Sequence, residues 1–157
     1  MSREIRIATS QDVERIVELI NAAFRRGEGH IIYGDRIDIE EVQSLLPKGE
    51  FLVAEDDGAL VGCVYLEPRG ERTYLGLLSV SPHLQKQGVG SMLMREAEQR
   101  RVAAGCRFID LRTINLREDN RAFYKRRGYM ETGTAPFPAD IPTKLPCHFV
   151  HMSKSLP

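Results

Sequence analysis

The chain has 157 residues, a length that suits one domain with its own core, so residues 1–157 are read as a single domain. Lysine plus arginine and aspartate plus glutamate each number 22, which leaves no net field to attract nucleic acid or an anionic membrane. The cysteines Cys63, Cys106 and Cys147 are odd in number and lack CxxC spacing, no basic segment leads into an apolar run at the N-terminus, and nowhere do ~18 apolar residues run together; reduced thiols in a cytoplasmic protein are expected.

Alternation in "EIRIA", Glu4 to Ala8, predicts a strand, after which Thr9 caps a helix with Asp12 at its third position. Val13, Ile16, Val17, Ile20 and Phe24 give that helix one apolar face until "RRGEGH" ends the pattern. Gly29 to Asp38 reads as a loop, and Asp38 with Glu41 opens a short second helix to about Leu46. Glu50 to Pro68 carries two strands joined at Asp57-Gly58, a tight-hairpin dipeptide, and Thr73 to Val80 adds a third that ends at Ser81-Pro82. A long helix runs from Gly88 to about Ala104, stopped by Gly105. "RFIDLRT" is then a strand, "LREDNRAFYKRRG" a helix and "YMETG" a strand, before a proline-punctuated loop and a last strand, "CHFVHMS". The order predicts a mixed α/β sheet, partly antiparallel and partly parallel, with helices on both faces.

The stretch "QKQGVG", Gln85 to Gly90, places two glycines where an apolar strand gives way to the long helix. Bare amides at a helix start, or successive amides in a tight turn, form a concave site for phosphate oxygens. The P-loop pattern fails, because Lys86 precedes the glycines. The dinucleotide fingerprint fails at its third glycine, which is Leu93, and "SPHLQKQ" separates strand from helix. The pattern [QR]xxGx[GA] after "LLSVSP" is satisfied by Gln85, Gly88 and Gly90, and "FYKRRGY", Phe123 to Tyr129, follows at a fitting distance. Both motifs and the element order resemble the GNAT family of N-acetyltransferases over essentially the whole chain.

That resemblance implies an acyl-CoA N-acyltransferase fold of about six to seven strands and four helices, with acetyl-CoA as cosubstrate. It implies that amides across Gln85, Lys86, Gln87, Gly88, Val89, Gly90 and Ser91 hold the CoA pyrophosphate. Backbone groups at Leu78, Ser79 and Val80, freed where two parallel strands splay, would bind the pantetheine arm and the acetyl oxygen. Tyr124 matches the family tyrosine that protonates the departing thiolate, with a packed ring that only orients the cofactor as its alternative reading.

Several relatives carry a glutamate base on the strand before the glycine loop, but "TYLGLLSV" has no carboxylate. Glu67, at the end of the preceding strand, is the nearest candidate, acting directly or through water; its alternative is a solvated edge charge. His148 is a base of suitable type, yet strand alternation sends it and Cys147 to opposite faces, and no ligand cluster suggests a metal. The family's asparagine seven residues before the tyrosine falls on Arg117, and the usual alanine three later is Asn120. Arg117 reads either as an anion-binding residue or as a solvated helix start, and Asn115 as a compensating cofactor contact.

The expected function is transfer of acetyl from acetyl-CoA to a primary amine, directly within a ternary complex. The alternative is a noncatalytic CoA-binding regulatory module of the same fold. The expected acceptor is a small-molecule or peptide amine, entering over "RRGEGHIIYGDRID" and "APFPADIPTKLPCHF", with homodimer formation left open and neither nucleic acid nor membrane involved.

Overall fold

The structure, a computed structural model, describes residues 3–157. Strand β1 (Arg3–Ile7) leads into the expected cap: the Thr9 amide donates to Asp12 Oδ2 at 2.8 Å, and the Gln11 amide donates to Thr9 Oγ1 at 3.3 Å. The cap first winds one 3-10 turn, Ser10–Asp12, and α1 then spans Val13–Glu28, a turn beyond the apolar pattern. The extra turn is held by a tertiary contact, an ion pair between Glu28 and Arg117 at 3.0 Å. The second helix, α2 (Ile39–Leu45), is capped by Asp38, whose Oδ1 accepts from the Glu41 amide at 2.9 Å.

Asp12 is buried and accepts from Arg6 at 2.8 Å through both oxygens and from Arg15 at 2.8 Å. Asp12→Ala is expected to cost about 2 kcal/mol, less than a sealed pair because both arginines reach solvent, or ~5 °C in Tm. The Arg6 guanidinium, and next the Thr9 amide among the hydrogen bonds, hold the Asp12 carboxyl well below the ordinary carboxylate range. That contribution is therefore complete above the unfolded pKa of about 4 and is lost as pH falls through the lower folded value. Melting curves should show the gap between wild type and variant narrowing below about pH 4; a gap that is constant into acid would contradict the assignment.

Strands β2 (Glu50–Asp56), β3 (Ala59–Arg69) and β4 (Arg72–Val80) form the antiparallel meander. Helix α3 (Val89–Ala103) crosses to β5 (Phe108–Ile114), which α4 (Glu118–Lys125) follows, and β6 (Met130–Pro136) and β7 (His148–Ser155) complete a seven-stranded sheet of order β1-β2-β3-β4-β5-β7-β6. The sheet is parallel only between β4 and β5, as expected. β6 runs three residues beyond the expected "YMETG" because β7 pairs with it as far as Pro136 opposite His148, and proline is tolerated on an edge strand.

The helices cover both faces. Ile16, Ile20 and Val42 pack on Phe51, Val53 and Tyr65, while Leu93, Ala97 and Tyr124 pack on Leu52, Val64 and Leu66. Alternation along β2 supplies both cores, since Phe51 and Val53 face one way and Leu52 and Ala54 the other. Among the described residues no helix is long and apolar enough to cross a membrane.

Candidate active site

The parallel ladder is short. Arg72 to Tyr74 pair with Phe108 to Asp110, and beyond Tyr74 the two strands part. Leu77 takes a positive φ of 57°, which bulges β4 where its pairing with β3 shifts register. The Ser79 hydroxyl donates to the Leu77 carbonyl at 3.0 Å, and Ser79 and Val80 remain paired to β3 through Cys63 and Gly62. The edge of β4 that faces β5 is thus left without a strand partner from Leu75 onward.

At the end of β4 the chain makes a 3-10 turn, Pro82–Leu84, and Gln85 Nε2 reaches back to the Val80 carbonyl at 3.2 Å. Lys86 has φ 65° and Gly88 φ 83°, alternating left-handed residues that turn successive amides toward one side. Gly88 occupies the N-cap of α3, where a side chain would be strained. The first helical bond runs from the Met92 amide to the Gly88 carbonyl at 3.0 Å, so the amides of Val89, Gly90 and Ser91 precede the ladder. A helix start with exposed N–H groups carries positive potential and suits an anion. The Val89 side chain is buried in the core and is not available to a ligand.

This loop meets the second motif directly. A methyl group added at Gly90 would lie 3.4 Å from the Phe123 ring and 3.7 Å from Val80 Cγ2, so the glycine loop, the end of β4 and α4 converge. Arg127, unremarked in the sequence, stacks over Phe123 at 3.6 Å and donates to Ser91 Oγ, tying α4 to the first turn of α3. The Ser91 hydroxyl is engaged there.

Between the parted strands lies a cavity of about 370 Å³. Gly76, Leu77 and Leu78 of β4 form one wall, Leu111, Thr113 and Ile114 of β5 the opposite wall, and Tyr124 and Asn120 of α4 a third side. Tyr124 is buried, and its ring makes edge contacts with Phe123 at 5.3 Å and Tyr129 at 5.9 Å. Burial pushes its hydroxyl above the ordinary tyrosine pKa. Among the described residues no protein group hydrogen-bonds that hydroxyl, yet it is not a sealed unsatisfied atom, so it opens onto the cavity.

The roof is built from the two loops named as the acceptor entrance. Ile32 bridges Thr143, the Tyr33 amide donates to the Pro142 carbonyl at 3.3 Å, and the Lys144 amide donates to the Ile31 carbonyl at 2.6 Å. Phe24, Tyr33, Phe137 and Phe149 give this end of the cavity an aromatic lining.

Three residues singled out in the sequence are engaged in other contacts. Glu67 does not line the cavity that Tyr124 lines; it lies on a neighbouring open groove, bound by the Tyr65 hydroxyl at 2.8 Å and by Arg69 at 2.8 Å. Those two donors, Tyr65 first, hold its carboxyl below the ordinary glutamate range, which makes it a weaker proton acceptor. Asn115 is committed elsewhere: its Oδ1 accepts from the His148 amide at 2.8 Å, fastening the start of β7. Arg117 is neither solvated nor free for an anion, since it ion-pairs with Glu28 and Asp119 at 3.0 Å each. The residue that sequence reasoning missed is Glu28, which it assigned to a charged loop and which instead lines the Tyr124 cavity while almost wholly buried.

Residues 13–129 match the acetyltransferase (GNAT) family. In structure the chain is similar to the PaiA N-acetyltransferase of Thermoplasma acidophilum in complex with coenzyme A, with TM-score 0.81, 19% identity and 99% of each chain covered. It is also similar to the ribosomal-protein-S18-alanine N-acetyltransferase of Escherichia coli, with TM-score 0.82, 13% identity, and 99% of this chain and 94% of that one covered. In sequence it is similar to an amino-acid acetyltransferase of Azotobacter vinelandii, 26% identical over 140 residues, 87% of this chain and 29% of that protein. A Bacillus subtilis protein, YdhI, is 27% identical over 86 residues, 55% of this chain and 52% of that one. The chain thus spans about half or less of the length of these two relatives. With a match across residues 13–129 and a seven-stranded mixed sheet carrying four helices, the chain belongs to the acetyltransferase (GNAT) family.

Proposed function

We propose that the protein is an acetyl-CoA-dependent N-acetyltransferase that moves acetyl to a primary amine within a ternary complex. The observation that carries this reading is the continuity of three parts: an amide-lined turn at the start of α3, an unpartnered β4 edge, and a cavity that Tyr124 opens onto.

In this reading the pyrophosphate lies on the amides of Gln85 to Ser91, and the pantetheine arm takes the place of the missing strand along Leu78, Ser79 and Val80. Hydrogen bonds from the β4 edge would orient the thioester and polarise its carbonyl, a contribution preorganised by the bulge at Leu77. The amine attacks the thioester carbon and the C–S bond breaks. The thiolate takes its proton from Tyr124, which burial keeps protonated. Holding both reactants in one cavity removes the entropy cost of their encounter from the chemical step.

The test is release of CoA thiol from acetyl-CoA in the presence of a panel of primary amines, with mass-spectrometric detection of the acetylated product. Product formation is expected for at least one apolar amine, given the aromatic lining. Acetyl-CoA binding without thiol release for any amine would favour the noncatalytic module instead.

A further inference from the structure

Three carboxylates line the cavity that Tyr124 opens onto: Glu28, Asp35 and Glu41. Asp35 is exposed and paired with Arg25 at 3.1 Å, and Glu41 is exposed on α2. Glu28 alone is buried, at the last turn of α1. Its Oε2 accepts from Arg117 Nη1 at 3.0 Å; its Oε1 has no protein donor among the described residues and is not a sealed unsatisfied atom, which leaves it facing open space. Arg117 does not neutralise it one for one. The same guanidinium gives Nε and Nη2 to Asp119 at 3.0 Å each, and Nη2 also to Asn120 Oδ1 at 3.0 Å. Two carboxylates share the Arg117 guanidinium, and Arg36, which lines the same cavity, is the second cation that acts on Glu28. The arrangement depends on Gly27, where a methyl group would lie 2.3 Å from Arg117 Nη1.

We infer that Glu28 receives the ammonium group of an apolar primary amine and takes its proton, with Arg117 as the residue that positions it. The inference rests on the transferase reading above. The ammonium gives one proton to Glu28 and becomes a neutral amine, whose lone pair forms the C–N bond. Collapse of the tetrahedral adduct breaks the C–S bond, and the thiolate takes the Tyr124 proton. The tyrosinate recovers a proton from the amide nitrogen, and Glu28 releases its own to solvent. The charged and titratable groups that act on Glu28, or on which it acts, come from several elements: Arg117 and Asp119 at the start of α4, Arg36 in the loop after α1, Tyr124 on α4, and Cys147 just before β7. Burial outweighs Arg117 and Arg36 and raises the Glu28 carboxyl above the ordinary glutamate value, which makes it a stronger base than an exposed glutamate.

The test uses 2-phenylethylamine as acceptor and compares wild type with Glu28→Gln and Glu28→Asp. Glutamine keeps an oxygen for Arg117 and loses the base. At neutral pH, kcat/KM for the amine should fall on the order of 100-fold in Glu28→Gln, with the Kd for acetyl-CoA unchanged, and Glu28→Asp should recover part of the loss. The deficit should shrink as pH rises toward the amine's own pKa, because solution then supplies neutral amine. In wild type the rate should fall as pH drops and protonates Glu28, and that limb should be absent from Glu28→Gln. Unchanged kcat/KM and pH profile in Glu28→Gln would overturn the assignment and leave the transferase reading standing. So would failure of 2-phenylethylamine to release thiol from a protein that binds acetyl-CoA. No binding of acetyl-CoA by wild type would overturn both.

Discussion

Tyr124→Phe is expected to lower the rate of thiol release from acetyl-CoA by about 10² to 10⁴-fold while leaving the affinity for acetyl-CoA within about twofold. The substitution is clean because the ring and the hydroxyl have separate duties. The ring is held by edge contacts with Phe123 at 5.3 Å and Tyr129 at 5.9 Å, and phenylalanine preserves both. The hydroxyl has no hydrogen-bond partner among the described residues, so its loss breaks no internal contact and leaves stability nearly unchanged. Its pKa is raised by burial, so the acid stays protonated through the range in which a free tyrosine, near 10, would titrate. Wild type should therefore show no loss of activity from Tyr124 ionisation as pH approaches about 10. Steady-state rates across pH provide the check, and a Tyr124→Phe profile that overlays wild type would remove the general-acid role.

Gly62→Val is expected to weaken both the fold and the cofactor site. Gly62 lies on β3 under the first turns of α3, where an added methyl group would sit 2.7 Å from Val89 Cγ1, 2.9 Å from Leu93 Cδ1 and 3.3 Å from the Ser79 carbonyl oxygen. Valine cannot fit unless α3 moves away from the sheet, and overpacking of this kind costs about 1–3 kcal/mol. For a chain of this length the Tm should fall by about 3–10 °C. The amides at the start of α3 would move with the helix, and acetyl-CoA affinity should fall on the order of 10-fold beyond any effect of partial unfolding. Calorimetric binding well below the variant's Tm separates the two effects. Full affinity in a destabilised Gly62→Val protein would show that the position of α3 against β3 does not set the amide site.

The fold was legible wherever a local pattern sufficed. Thr9 with Asp12 gave the cap, Asp57-Gly58 the hairpin, and the apolar spacing of Val13, Ile16 and Ile20 a buried helix face. The glycine loop was legible for the same reason: the glycines, the left-handed turn and the helix start are contiguous in sequence. The cavity was not, because its lining comes from α1, β4, α4 and the proline loop. Glu28 looks like one charge in the run "RRGEGH", and nothing local says that Arg117, 89 residues away, will draw it into the interior. Gly62 and Arg127 likewise acquire their roles only when β3 meets α3 and α3 meets α4. The occupation of Glu67, by contrast, was readable. Tyr65, Glu67 and Arg69 fall on one face of a strand by alternation, and they bind one another there.

In the proposed complex the amides bared between Gln85 and Ser91 hold the pyrophosphate of acetyl-CoA. Amide chemical shifts of the labelled protein during titration with acetyl-CoA test it most directly. Saturable shifts are expected, largest at Lys86, Gly88, Val89, Gly90 and Ser91, with a second group along Leu77 to Val80. Saturating acetyl-CoA that leaves those amides in place, or shifts only residues elsewhere, would contradict it.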